Sequence, residues 1–246
     1  MKEIYFKVIS ICFAQLIFIG QISFAQNEIT LSRPKDVIIS GAGATLFLGG
    51  YYFYQKKDPL SVEQISNLKI SDINSFDRPA VNNYSVGAAD ASDILLYTSM
   101  ALPALLLTDK DIRKDATPVM LVYFQSVLIT SGEVLMTKGL VDRTRPFVYN
   151  ENAPMSEKQK PDANASFFSS HTALTANAAA YTAAVYSIYH PNSKALPYIY
   201  IGAAAIPLTT GYLRYQAGKH FPTDIAAGLI IGALNGYLMA KWHKTK

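Results

Sequence analysis

Apolar positions gather into six long runs, residues 37–54, 94–108, 119–137, 172–189, 196–213 and 225–240, with shorter polar stretches between them. Each is about 15–20 residues long, near the lower limit for a helix that crosses a hydrocarbon core. Tyr51, Tyr52, Tyr54, Tyr189, Tyr198 and Trp242 mark run ends, where such side chains meet a bilayer interface. Strand-like alternation is scarce. The pattern predicts an all-α helical bundle of about five to six apolar helices, embedded in a membrane. Periodicity alone also admits the buried core of a soluble helical protein.

Composition moves the balance toward the membrane. Half of the 246 residues are hydrophobic and only 16% are charged, against roughly a quarter charged in ordinary soluble domains. The net charge of +4 is scattered, with no basic stripe interleaved with aromatics, so nucleic acid is excluded as a partner. Lys2 and Lys7, an apolar stretch at 8–20, and Ser23-Phe24-Ala25 make the pattern of a secretory signal peptide cut before Gln26. Cleavage removes Cys12, the only cysteine, and with it any disulfide or cysteine metal ligand. The chain thus divides into a leader (1–25), an apolar segment with a polar connection (26–92), and a core (93–246).

The orientation signals conflict. The stretch "DKDIRKD" at 109–115 and the tail "KWHKTK" are short and basic, which predicts a cytoplasmic position. The loops after Thr137 and Leu213 then face the periplasm of a bacterial inner membrane. A cleaved leader puts residue 26 in the periplasm too, and a full crossing by 37–54 would invert every later loop. Both signals hold if that glycine-rich segment does not fully span, or if the protein is a periplasmic one bound at the membrane surface.

Three polar clusters interrupt the apolar runs. The first has Lys138, six intervening residues, then Arg145-Pro146. The second, "SFFSSHTA", brings Ser169, Ser170 and His171 to the head of an Ala-rich helix, whose unpaired N–H groups suit an anion. The third has Arg214, five residues, His220, three residues and Asp224. Four apart on a helix, His220 and Asp224 share a face, and a carboxylate bonded to one imidazole nitrogen leaves the other free to attack. Lys138, Arg145 and Arg214 can neutralise phosphate oxygens, with Ser169 and the N–H groups of Ser170 and His171 adding hydrogen bonds. His220 is the candidate nucleophile, and His171 the group that protonates the leaving oxygen and later activates water. With fixed cations supplying the charge, the scheme calls for no metal and no cofactor.

These clusters resemble those of the type 2 phosphatidic acid phosphatase superfamily, which includes bacterial class A acid phosphatases and vanadium haloperoxidases. Lys138/Arg145/Pro146 and Arg214/His220/Asp224 stand at the family's spacings. Phe168 replaces a proline, Ser170 a glycine and Leu213 a serine. The resemblance covers about residues 90–240 and implies a helical bundle and a metal-independent reaction through a phosphohistidine. A lipid phosphate is the substrate it implies for an apolar bundle: phosphatidic acid, phosphatidylglycerol phosphate, undecaprenyl pyrophosphate or a lipid A phosphate. A soluble non-specific acid phosphatase and a haloperoxidase are the alternatives. If the family's turn requires a left-handed backbone, Ser170 is strained there.

Other polar residues have plainer expectations. Arg143 reads as a solvated or headgroup-facing charge, and Asp142 as a local partner of Arg143 or Arg145. Glu133 is expected to pair with a nearby basic side chain. His190 and His243 read as surface residues.

Overall fold

The computed structural model describes residues 28–245, so the expected leader lies outside the described residues. Six long helices dominate: α1 (Arg33–Gln55), α2 (Val86–Met100), α3 (Ala116–Leu140), α4 (Ser170–Tyr189), α5 (Leu196–Gln216) and α6 (Pro222–Trp242). Short helical turns connect them, and the only β-type pairings among the described residues are two isolated bridges. This is the all-α bundle that the apolar runs predict.

The Ala-rich helix α4 is the axis of the bundle, packed against α2, α3, α5 and α6. Its small side chains let neighbours approach to backbone contact. A Cβ added at Gly232 of α6 would lie 2.0 Å from the carbonyl oxygen of Ala173. Gly228 and Gly236, one turn to either side, approach Thr172 and Asn177 in the same way. Small residues at helix spacing permit this close packing where no hydrophobic drive separates helix from lipid. Asn177 pins α4 to α3 by donating to Ser126 Oγ (2.7 Å) and Thr130 Oγ1 (3.0 Å).

Four stretches are long and apolar enough to cross a membrane: Arg33–Gln55, Val86–Thr108, Ile112–Leu140 and Pro222–Trp242. With large exposed apolar side chains such as Ile38, Leu48, Tyr97 and Ile230 on them, the chain reads as a membrane protein. Helix α1 runs the full length of the bundle. Near its start, Asp36 Oδ1 lies 2.8 Å from His243 Nε2, and near its end Tyr54 donates to Asp162 at 3.0 Å. The glycine-rich segment therefore does not stop short: it begins beside the basic tail and ends beside the polar clusters.

Several local expectations are corrected. His243 is not a surface residue; it is 1% exposed, held between the Met239 carbonyl (2.8 Å) and Asp36. Asp142 pairs with neither arginine; it meets Lys57, which reaches over from the end of α1. Glu133 takes Asn235 Nδ2 at 2.6 Å rather than a basic partner. His190 stays half-buried against Asp109 at 3.0 Å.

Candidate active site

The three polar clusters converge at one end of the bundle because of where the helices start and stop. Lys138 lies in the last turn of α3, His171 in the first turn of α4, Arg214 in the last turn of α5, and Asp224 in the first turn of α6. Antiparallel neighbours bring two C-terminal and two N-terminal ends to the same mouth. Pro222, at the first helical position of α6, pre-sets the turn that places His220 just ahead of the helix. His220 and Asp224 are thus joined by a turn and a helix start, not by one helix face.

His220 is fully buried, and its Nε2 lies 3.0 Å from Arg145 Nη1. A guanidinium can only donate, so Nε2 must be the lone-pair nitrogen and the ring proton must sit on Nδ1. Nδ1 faces Asp224 Oδ2 at 3.6 Å, beyond hydrogen-bond length, and has no closer acceptor among the described residues. Arg145 is held from three sides: Asp162 Oδ1 (2.8 Å), the Asp162 carbonyl (2.8 Å) and the Lys219 carbonyl (2.7 Å). Lys138 donates to the Ala165 carbonyl at 2.5 Å. Arg214 Nη1 donates to Ser92 Oγ at 3.1 Å and stands 3.7 Å from Asp93, while its Nε is buried without a partner.

Ser169 caps α4, its Oγ accepting the Thr172 N–H at 3.4 Å, and its own N–H donates to the Asp224 carbonyl at 3.1 Å. That bond fastens the start of α4 to the start of α6. Ser170 is the first helical residue, and no non-glycine residue among those described has positive φ. The strain considered for serine in place of glycine is absent.

Arg143 is a correction of larger consequence. It is neither solvated nor aimed at headgroups: it bridges two fully buried carboxylates, contacting Asp224 Oδ1 through Nη1 and Asp77 Oδ2 at 2.7 Å through Nη2. Its guanidinium also lies 4.6 Å over the Phe221 ring, and Nη1 donates to Thr223 Oγ1 at 2.9 Å. Asp224 takes two further bonds on Oδ2, from Ser166 Oγ (2.6 Å) and the Phe221 N–H (2.9 Å). Asp77 also accepts Thr223 N–H and hydroxyl bonds at 3.0 and 2.7 Å. Asp77, Asp93, Asp162 and Ser92 join the site although they lie outside the three sequence clusters, and Ser166 joins it from the leading edge of the second. They come from the polar connections and from α2, and no local spacing marks them.

The electrostatics follow from crowding cations into a buried space. Burial, then Arg145, Lys138 and Arg214, hold the His220 imidazole well below its ordinary 6.5, so it stays neutral. Burial and Arg145 likewise push the Lys219 ammonium down. Desolvation works against a charge on Asp162, yet Arg145 and Lys138 outweigh it and hold the carboxyl well below the usual range. Since the folded pKa of His220 is depressed, its neutral form persists below pH 6.5, where an unfolded chain's imidazole is already protonated. The acid limb of kcat/KM should therefore fall below the ordinary histidine value. The contribution of this residue to stability should be lost as pH falls from about 6.5 toward that limb. A pH–rate profile with its acid limb at or above 6.5 would contradict the depressed value.

A family model described as the PAP2 superfamily matches residues 116–246, the stretch from α3 to the end of the chain. No curated protein and no solved structure matches it.

Proposed function

Because the chain belongs to the PAP2 superfamily, which supports phosphoryl-hydrolase activity, we propose that it removes phosphate from a membrane lipid by way of a phosphohistidine on His220. The observation that carries this reading is the buried His220 Nε2 lone pair, 3.0 Å from a guanidinium that would also grip phosphate. In the proposed reaction Nε2 attacks phosphorus, the bond to the lipid oxygen breaks, and His171 gives that oxygen a proton. His171 then takes a proton from water, whose oxygen attacks the phosphohistidine, releasing inorganic phosphate and free His220. Lys138, Arg145 and Arg214 neutralise the transferring group, aided by the Ser169 hydroxyl and the N–H groups of Ser170 and His171. Asp224 stands behind Nδ1, and a 3.6 Å separation is of the kind that tightens when the reactive complex forms.

The lipid preference is supported by the four apolar helices, which bring the site to the end of a membrane-spanning bundle. The basic stretch 109–115 and the C-terminal tail stand at the opposite end, so we take the site to face the periplasm of a bacterial inner membrane. On this orientation residue 28, beside the tail, is cytoplasmic, which sets the reading against cleavage before Gln26.

Purified protein in detergent should release phosphate from phosphatidic acid, phosphatidylglycerol phosphate, undecaprenyl pyrophosphate or lipid A far faster than from a soluble sugar phosphate. It should do so in excess EDTA and be inhibited by vanadate. Whole cells should process added short-chain phosphatidic acid without permeabilisation. Activity confined to the soluble ester would overturn the lipid reading, and activity seen only after permeabilisation would overturn the orientation.

A further inference from the structure

His171 and His220 differ in how their two nitrogens are engaged. His220 offers Nε2 to the site and turns Nδ1 toward Asp224. In His171 it is Nε2 that is taken, lying 2.6 Å from Asp93 Oδ1, while Nδ1 is buried with no partner. A carboxylate accepts, so Nε2 carries a proton, and the nitrogen left for the reaction is Nδ1. A buried imidazole nitrogen with no partner, at a mouth where the buried Arg214 Nε is also unpartnered, points to a ligand oxygen.

We infer that Asp93 is a positioning residue for leaving-group protonation: it fixes the tautomer of His171, aims Nδ1 at the departing oxygen and stabilises the imidazolium. The inference rests on the phosphatase reading. Asp93 lies on α2, outside the segment matched by the family model, and the same carboxylate stands 3.7 Å from Arg214. It ties the acid to one of the phosphate-binding cations.

The electrostatic need for Asp93 is visible in what faces His171. Burial opposes a positive imidazole most, and Arg214 from α5, Arg145 from the segment after α3 and Lys138 from α3 oppose it too. Asp162 counters them from the connection before α4, and neutral His220 lies across the site. Asp93 is the carboxylate in direct contact with the ring. In the first half-reaction the imidazolium gives its Nδ1 proton to the lipid oxygen as the P–O bond breaks. In the second, neutral Nδ1 takes a proton from the attacking water, and Nε2–H stays with Asp93 throughout.

A role in acid catalysis, unlike one in folding alone, must depend on the leaving group. Asp93→Asn keeps an acceptor for Nε2–H but removes the charge. With an alkyl ester such as phosphatidic acid, whose alkoxide leaves poorly, kcat should fall by about 10²-fold with KM little changed. With p-nitrophenyl phosphate, whose phenolate leaves unaided, most of the rate should remain. The basic limb of the kcat profile for the alkyl ester should move to lower pH, because the imidazolium loses its counter-charge. Asp93→Glu should recover part of the alkyl-ester rate. Equal losses on both esters with an unmoved basic limb would overturn the inference. So would a faster Asp93→Asn enzyme, which would mean that the carboxylate competes with phosphate for Arg214. Wild-type protein that releases phosphate from neither ester would overturn the phosphatase reading itself, and this inference with it.

Discussion

His220→Ala should release phosphate from its lipid substrate at least about 10⁴-fold more slowly than the wild type, the scale on which loss of a nucleophile is felt. The reasoning starts from the tautomer. Arg145 Nη1 at 3.0 Å commits Nε2 to its lone-pair form, and burial among cations keeps the ring neutral. The other imidazole at the mouth, His171, has Nε2 taken by Asp93 and offers Nδ1, the nitrogen that the proposed reaction uses for proton transfer. Removal of the His220 ring leaves Arg145 anchored by Asp162 and the Lys219 carbonyl, so the phosphate fork survives. Substrate binding should therefore persist in the variant, measurable as competition with the wild type for a limiting lipid phosphate. A variant that retains a tenth of the rate would remove His220 from the role of nucleophile.

Arg143→Ala should be the most damaging change outside the reacting groups. It strips the cation from between two carboxylates that are 0% exposed, Asp77 and Asp224. Breaking such a buried pair from one side costs about 3–5 kcal/mol, chiefly because a charge is left buried without its partner. Asp77 keeps its bonds from Asn74 and Thr223, and Asp224 keeps those from Ser166 and Phe221. The carboxylates then repel each other, and Asp224 is pushed off its line to His220. Misplacement by about 1 Å costs on the order of 10²-fold in rate. Thermal unfolding in detergent should show a lowered midpoint, and kcat should fall with it. Adding Asp77→Asn should recover part of both, since the amide keeps the Thr223 bonds and removes one of the charges. Arg143→Lys should not substitute, because an ammonium lacks the planar fork that spans two carboxylates. Unchanged stability and rate in Arg143→Ala would show that the bridge carries no weight.

The apolar runs are legible in the sequence because a helix in lipid must be uniformly apolar over a fixed length. Their edges are less so. Helix α2 begins at Val86, not near residue 94, because "VGAADASD" reads as polar while it turns Ser92 and Asp93 into the site. The three basic and histidine clusters are legible because each sits within about ten residues of chain, at a spacing one helix end can hold. Their carboxylate partners are not. Asp77 and Asp224 stand 66 and 81 residues from Arg143, and Asp93 stands 78 from His171. Nothing local marks an aspartate that will be buried against an arginine so far along the chain. For the same reason Arg143 reads locally as a solvated charge and His243 as a surface residue, although both are drawn into the folded chain. A charged group's burial is decided by what the tertiary fold brings to it.

The most direct test is to trap the covalent intermediate. Wild-type protein, mixed briefly with phosphatidic acid radiolabelled in its phosphate and quenched in alkali, should carry label on the peptide that contains His220. That label should survive base, be lost in mild acid, and be missing from His220→Ala. Label that is stable to acid, or that maps to a serine or to any peptide without His220, would contradict the account.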